Sequence, residues 1–206
     1  ACADTVDLRK GTEIHAEISQ LKHFDTTILN GLLYMYSKCG ALEDTQIVFD
    51  EIPFYDVVSW TALISGYAEV GEVETALELF NNMLRQGIKP NSVTFTVILN
   101  ACRHSGLLKE GQMCFEIMIR CHFMAPTSEQ YTCMVDLFGR AGHFDKALAV
   151  IQTMPMSDYL SAWTVMLGAC QKWGNVELAK LAFKHVIWLD PTHEAAYICM
   201  NNIFAA

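Results

Sequence analysis

The sequence predicts an all-α protein, a solenoid of tandem helix–turn–helix repeats. Three observations predict it. Glycines recur at Gly40, Gly71, Gly106, Gly142 and Gly174, thirty-one to thirty-six residues apart. Each glycine separates two stretches of helical apolar period, where a residue of positive φ ends one helix before the next begins. Pro53, Pro90, Pro126, Pro155 and Pro191 then mark the turns out of the second helices.

Numbering each repeat so that its glycine is residue fifteen gives the units Thr26–Asp56, Val57–Asn91, Ser92–Thr127, Ser128–Tyr159 and Leu160–His193. In the first helix, position four holds Leu29, Trp60, Phe95, Tyr131 and Trp163. Position eight holds Leu33, Ile64, Leu99, Val135 and Leu167, and position eleven Tyr36, Tyr67, Cys102, Phe138 and Cys170. These three positions share one helix face. In the second helix, position seventeen (Leu42, Val73, Leu108, Phe144, Val176) and position twenty-four (Phe49, Phe80, Phe115, Ile151, Phe183) define a buried face. Position twenty is small (Ala76, Gly111, Ala147, Ala179), with Thr45 the largest, so neighbouring helices can approach closely. Glu43, Glu74 and Asp145 suit the positive end of the second-helix dipole. No such hairpin can bury its apolar face alone, so stacking on neighbours is expected. Residues 1–25 align with the third full unit as a partial repeat, with Val6 in the glycine column, and residues 194–206 are a first helix without its second. The chain is read as a fragment, since it begins and stops within the pattern.

The composition narrows the functions. The chain has 206 residues, 52% hydrophobic and 18% charged, with a formal net charge of -9. Binding nucleic acid by overall charge is thereby excluded, and such a role needs a local basic stripe. No apolar run reaches membrane-spanning length. The eight cysteines form no C-x-x-C and mostly fall on apolar faces, as small core residues do. His15-Ala16-Glu17 is an H-x-E, but a zinc deaminase also needs a C-x-x-C. It reads as part of a helix face. No catalytic or metal-binding residue, cofactor or small-molecule substrate is expected.

The segments "DVVSWTALISGYAEVGEVETALELFNNMLRQGIKPN" and "LNGLLYMYSKCGALEDTQIVFDEIP" resemble the pentatricopeptide repeat family. The alternating unit lengths resemble its plant PLS subclass: 1–25 a partial L-type repeat, 26–56 S-type, 57–91 P-type and 92–127 L-type. Residues 128–159 are similar to the last S-type repeat, 160–193 to the E-type motif and 194–206 to part of a second one. The resemblance implies a right-handed superhelix that binds single-stranded RNA, one base per repeat. For this subclass it implies site recognition in C-to-U editing in mitochondrion or chloroplast, with an editing cofactor or deaminase as protein partner at the E-like end. RNA binding for splicing or transcript stability is an alternative, as is a protein-binding scaffold of the related tetratricopeptide kind.

The resemblance also assigns residues. Residue five and the last residue of a unit select a base: Asn30 with Asp56, a uridine pairing, and Thr61 with Asn91, an adenosine pairing. Thr96 with Thr127 carries no assigned base. Thr132 with Tyr159 departs from the pattern. The alternative reading makes Asn30 and Thr61 ordinary exposed residues and Asp56 and Asn91 helix caps. Position two stacks on bases: Thr27, Val58 and Val93 fit, whereas Glu129 and Ser161 depart. Position thirteen holds Lys38, Glu69, His104, Arg140 and Lys172. Lys38, His104, Arg140 and Lys172 would meet phosphates or complement helix C-termini. Trp60 and Trp163 read as core.

Overall fold

The computed structural model describes residues 8–19 and 25–205, with the side chains of Ser19 and Asp158 left aside. Cys2, Val6 and most of the link between the partial repeat and the first full unit lie outside the described residues. Among the described residues there are twelve α-helices and no strand. They are α1 Leu8–Ser19, α2 Thr26–Lys38, α3 Leu42–Asp50, α4 Val57–Glu69, α5 Val73–Arg85, α6 Ser92–Ser105, α7 Leu108–Arg120, α8 Ser128–Arg140, α9 Phe144–Thr153, α10 Tyr159–Trp173, α11 Val176–Leu189 and α12 Glu194–Ala205. A 3₁₀ turn, Met156–Asp158, leads into α10. The chain divides into two compact units, Ala1–Ala101 and Cys102–Ala206.

The two helices of a hairpin are joined in the same way five times. The N–H of position sixteen donates to the carbonyl of position eleven: Ala41 to Tyr36, Glu72 to Tyr67, Leu107 to Cys102, His143 to Phe138 and Asn175 to Cys170, all at 2.9–3.1 Å. This closure needs positive φ at the intervening glycine. The five glycines of the ladder have φ between 65° and 89°. At Gly142 (φ 78°) a side chain would also meet the indole of Trp173, 3.3 Å from where its Cβ would stand. That indole donates to the carbonyls of Gly139 (3.1 Å) and Arg140 (3.3 Å), satisfying the C-terminus of α8.

Helices pack on their own hairpin partner and on the next hairpin. In Ala1–Ala101, α2 packs on α3 and α4, and α4 on α5. In Cys102–Ala206, α8 packs on α9 and α10, and α10 on α11 and α12. The α2–α4 approach is close enough that a Cβ at Gly66 would lie 2.9 Å from Ser37 Oγ. Ser37, buried there, donates to the Ala62 carbonyl at 2.9 Å. Positions four, eight and eleven form the core, with Tyr131 and Tyr67 half-buried. In the second helices the small column lies deepest: Thr45, Ala76, Gly111, Ala147 and Ala179 are all buried. Leu42, Leu108, Phe144 and Val176 of position seventeen, and Phe115 and Phe183 of position twenty-four, are only half-buried. The buried face therefore centres on position twenty, because contact is closest where side chains are shortest.

Of the described cysteines, Cys102, Cys114, Cys133 and Cys170 are buried, Cys39 and Cys199 half-buried, and Cys121 exposed at the end of α7. Burial pushes the Cys102 and Cys114 thiols up to about 12, starving them of reactive thiolate. Mass spectrometry after alkylation at pH 8 is expected to find Cys121 modified in the folded protein. Cys102 and Cys114 should label only once denaturant has exposed them.

Candidate nucleic-acid interface

The resemblance pairs residue five of a unit with the last residue of that unit, and for Asn30 and Asp56 the fold brings the two together at a helix cap. Asp56 is the N-cap of α4. Its carboxylate accepts from the N–H groups of Val58 and Ser59, both at 2.9 Å, while Ser59 Oγ accepts from the Asp56 N–H at 2.8 Å. This capping box fixes Asp56 at the head of α4. Since α2 packs along α4, Asn30 on α2 reaches it, with Nδ2 donating to the carboxylate at 3.4–3.5 Å. Thr27 is exposed on the first turn of α2.

The next unit repeats the arrangement with neutral groups. Asn91 Oδ1 accepts from the Thr94 N–H (3.0 Å) and Thr94 Oγ1 accepts from the Asn91 N–H (3.3 Å). Thr94 Oγ1 lies 2.7 Å from Thr61 Oγ1, so Thr94 bridges the pair Thr61 and Asn91. Thr61 also donates to the Val57 carbonyl at 2.6 Å. Beside the pair is an apolar cleft of about 310 Å³, lined in part by Val58, Val93, Thr61 and Asn91. Val58 and Val93 are 52% and 60% exposed, unusual for valines on otherwise buried helices. Tyr34, Ser65 and Val97 line the same cleft from neighbouring first helices. Sequence columns missed these three because they sit at positions six and nine, which belong to no core column and to which the resemblance assigns no role. Thr94 was legible as the third residue after a cap, the spacing that Ser59 and Gln130 share.

The remaining assigned residues are placed singly. Thr96 Oγ1 donates to the Ser92 carbonyl (3.0 Å) within α6. Thr127 caps α8, its N–H donating to Gln130 Oε1 at 2.9 Å. Position thirteen is largely engaged by protein. Lys38 pairs with Glu69, whose carboxylate raises the ammonium pKa above its ordinary value, and lies 5.6 Å over the Tyr34 ring. Arg140 Nε donates to Asp136 at 2.7 Å, and Lys172 Nζ to the Arg140 carbonyl at 2.9 Å. His104 is exposed, 3.2 Å from an Arg103 nitrogen. Trp60 and Trp163 are buried in the core, and His15 shares a 2.9 Å hydrogen bond with the Tyr36 hydroxyl.

Known proteins resemble this chain throughout its length. The family described as PPR repeat family matches residues 55–104, and PPR repeat matches 93–123, 131–159 and 161–188. A chloroplastic pentatricopeptide repeat-containing protein of Arabidopsis thaliana is 42% identical over 98% of this chain and 24% of its own length. The chain spans about a quarter of the length of the curated relatives it matches. The crystal structure of the maize pentatricopeptide repeat protein PPR10 superposes with a TM-score of 0.74 at 22% identity, covering 98% of this chain and 29% of that one. The same maize protein in complex with an 18-nucleotide psaJ RNA element gives 0.65 at 23% identity, covering 87% and 28%.

The capping chemistry predicts how Asp56 contributes to stability. Asp56→Ala is expected to lower stability by about 0.5–2 kcal/mol, the usual cost of a lost cap, whereas Asp56→Asn, an equally good cap, should leave it nearly unchanged. Urea denaturation of the three proteins measures both.

Proposed function

Because this chain belongs to the pentatricopeptide repeat family, we propose that it binds single-stranded RNA and reads bases at the heads of α2 and α4. The observation that carries this reading is the cleft between Val58 and Val93, with Thr61 and Asn91 at its edge. Two exposed valines offer apolar surfaces for the faces of a planar base, and the polar pair faces its edge. The crystallised complex of the maize relative with an RNA element supports the ligand class.

Donor and acceptor chemistry supports the assigned bases. The Asp56 carboxylate is an acceptor only, and suits a base with an imino N–H, as uracil has. In Asn91 the cap occupies Oδ1, so the amide offers its Nδ2 donor, which suits the ring-nitrogen acceptor of adenine. Successive units would then read 5′-UA-3′. The reading extends to Thr96 and Thr127, with no base assigned, and to Thr27 stacking beside Asn30. At position thirteen, His104, Arg140 and Lys172 would meet phosphates. Lys38 would do so only by leaving Glu69.

The finer role follows from the PLS-like unit lengths. The chain would serve as the site-recognition part of an organellar C-to-U editing factor, and the chloroplastic relative supports an organelle. Deamination needs a metal-bound hydroxide, and in this reading a deaminase acting as protein partner supplies that chemistry. Trp188, Ile198 and Phe204 on α11 and α12 are large and exposed, which supports a protein partner at the E-like end.

Two outcomes test this. Thr61→Asn places asparagine at both reading positions of its unit, so competition between RNAs differing only as UA or UC should shift from favouring UA toward UC. An unchanged ranking would remove Thr61 from base reading. The double substitution Trp188→Gln and Phe204→Gln should leave RNA affinity unchanged and abolish editing in a complementation assay; full editing by that variant refutes the partner surface.

A further inference from the structure

The unit Cys102–Ala206 holds a cation cluster that the repeat columns only half contain. Arg103, near the end of α6, lies one residue ahead of the position-thirteen column. Its Nη1 stands 3.9 Å from Asp136, and Arg140 Nε stands 2.7 Å from the other oxygen of the same carboxylate. Asp136 is only 6% exposed, so one buried acid orients two guanidinium groups. Lys172 joins them through its bond to the Arg140 carbonyl. These four side chains line a cleft of about 480 Å³ between α8 and α10. At Gly168, on its wall, a Cβ would meet nothing within 4 Å, so the cleft is open there.

The charges do not cancel. Three cations face one carboxylate, and nearly all of the chain's acidic excess lies in residues 1–101. A single carboxylate cannot occupy two guanidinium forks of five N–H groups each, and the buried Nε of Arg103 has no partner. Arginine forks match the oxygens of a phosphate group in geometry and charge. In this same region the base-stacking positions hold Glu129 and Ser161, and the last residue of the fourth unit is Tyr159.

We propose that Arg103, Arg140 and Lys172, set around Asp136, form a phosphate site that grips the RNA backbone without regard to sequence. Arg103 is a direct phosphate contact in it, and Asp136 is a positioning residue. The inference rests on the RNA-binding reading and divides the labour within it. The pairs Asn30–Asp56 and Thr61–Asn91 discriminate bases, and the Arg103 cleft supplies charge-dependent grip.

The test uses the full chain with Arg103→Gln and Lys172→Gln, singly and together, because these leave the Asp136–Arg140 pair in place. Matching circular dichroism and melting curves verify folding, and Arg103→Lys serves as the charge-retaining control. Fluorescence anisotropy with UA-containing and UC-containing RNAs is followed over a salt series. Each lost contact should reduce the slope of log K against log salt by about 0.7, hence by about 1.4 in the double variant. The UA-over-UC preference should be unaltered, and Arg103→Lys should keep the wild-type slope. Wild-type affinity and slope in the double variant overturn the site while leaving RNA binding standing. Loss of the base preference overturns its sequence independence. If inorganic phosphate at matched ionic strength stabilises the wild type but not the double variant, while RNA slopes are equal, the occupant is a free anion and the backbone grip is refuted. A wild type that binds no RNA refutes the underlying reading.

Discussion

A helical hairpin of thirty-odd residues has more apolar surface than its two helices can hide from water by packing on each other. Everything else in this chain depends on that shortfall. It obliges each hairpin to lie against the next, and since each hairpin closes through the same positive-φ glycine turn, equivalent residues arrive side by side. Along Ala1–Ala101 the first helices α2 and α4 touch directly, so residue five of a unit, Asn30, meets the last residue of that unit, Asp56, which caps α4. Asn30 and Asp56, twenty-six residues apart in sequence, are thus nearest neighbours through burial.

Much of this was visible without coordinates. Five glycines, three first-helix columns and the small position-twenty column are one-dimensional signals, each repeated in register. What escaped were interactions whose partners belong to different units and different columns. The Lys38–Glu69 pair joins position thirteen to position thirteen of the next hairpin, and reading the column as a stripe of cations hid that its acidic member neutralises a basic one. Arg103 and Asp136 sit at positions twelve and nine, which no columnar alignment pairs; their meeting depends on how far adjacent first helices are offset. Tyr34 and Val97 reach the Val58 cleft by side-chain length and direction, which repeat spacing does not encode. The depth of position twenty relative to seventeen and twenty-four likewise depends on local helix separation rather than on hydrophobicity.

The acidic composition and the proposed polyanionic ligand are reconciled by distribution. In Ala1–Ala101 the single well-placed cation of column thirteen is matched by Glu69, and the exposed elements of the cleft are valines and neutral polar groups. In Cys102–Ala206 basic side chains outnumber the one acid they surround. A mean charge of the whole chain describes neither region, and local charge balance is what an approaching strand meets within a screening length of about 8–10 Å.

The capping boxes have a consequence for how such a protein can drift through evolutionary time. Asp56, Asn91 and Thr127 each start a helix, so only a few residue types are tolerated there without loss of stability. That short alphabet includes two members, aspartate and asparagine, that are nearly equivalent as caps yet opposite in what they offer a hydrogen-bonding partner. Exchange between them is therefore close to invisible to folding while altering what the surface presents. Lineages can diversify along this neutral step, retaining a working scaffold at each stage, whereas most other replacements at the same position would be weeded out before their effect on recognition could matter.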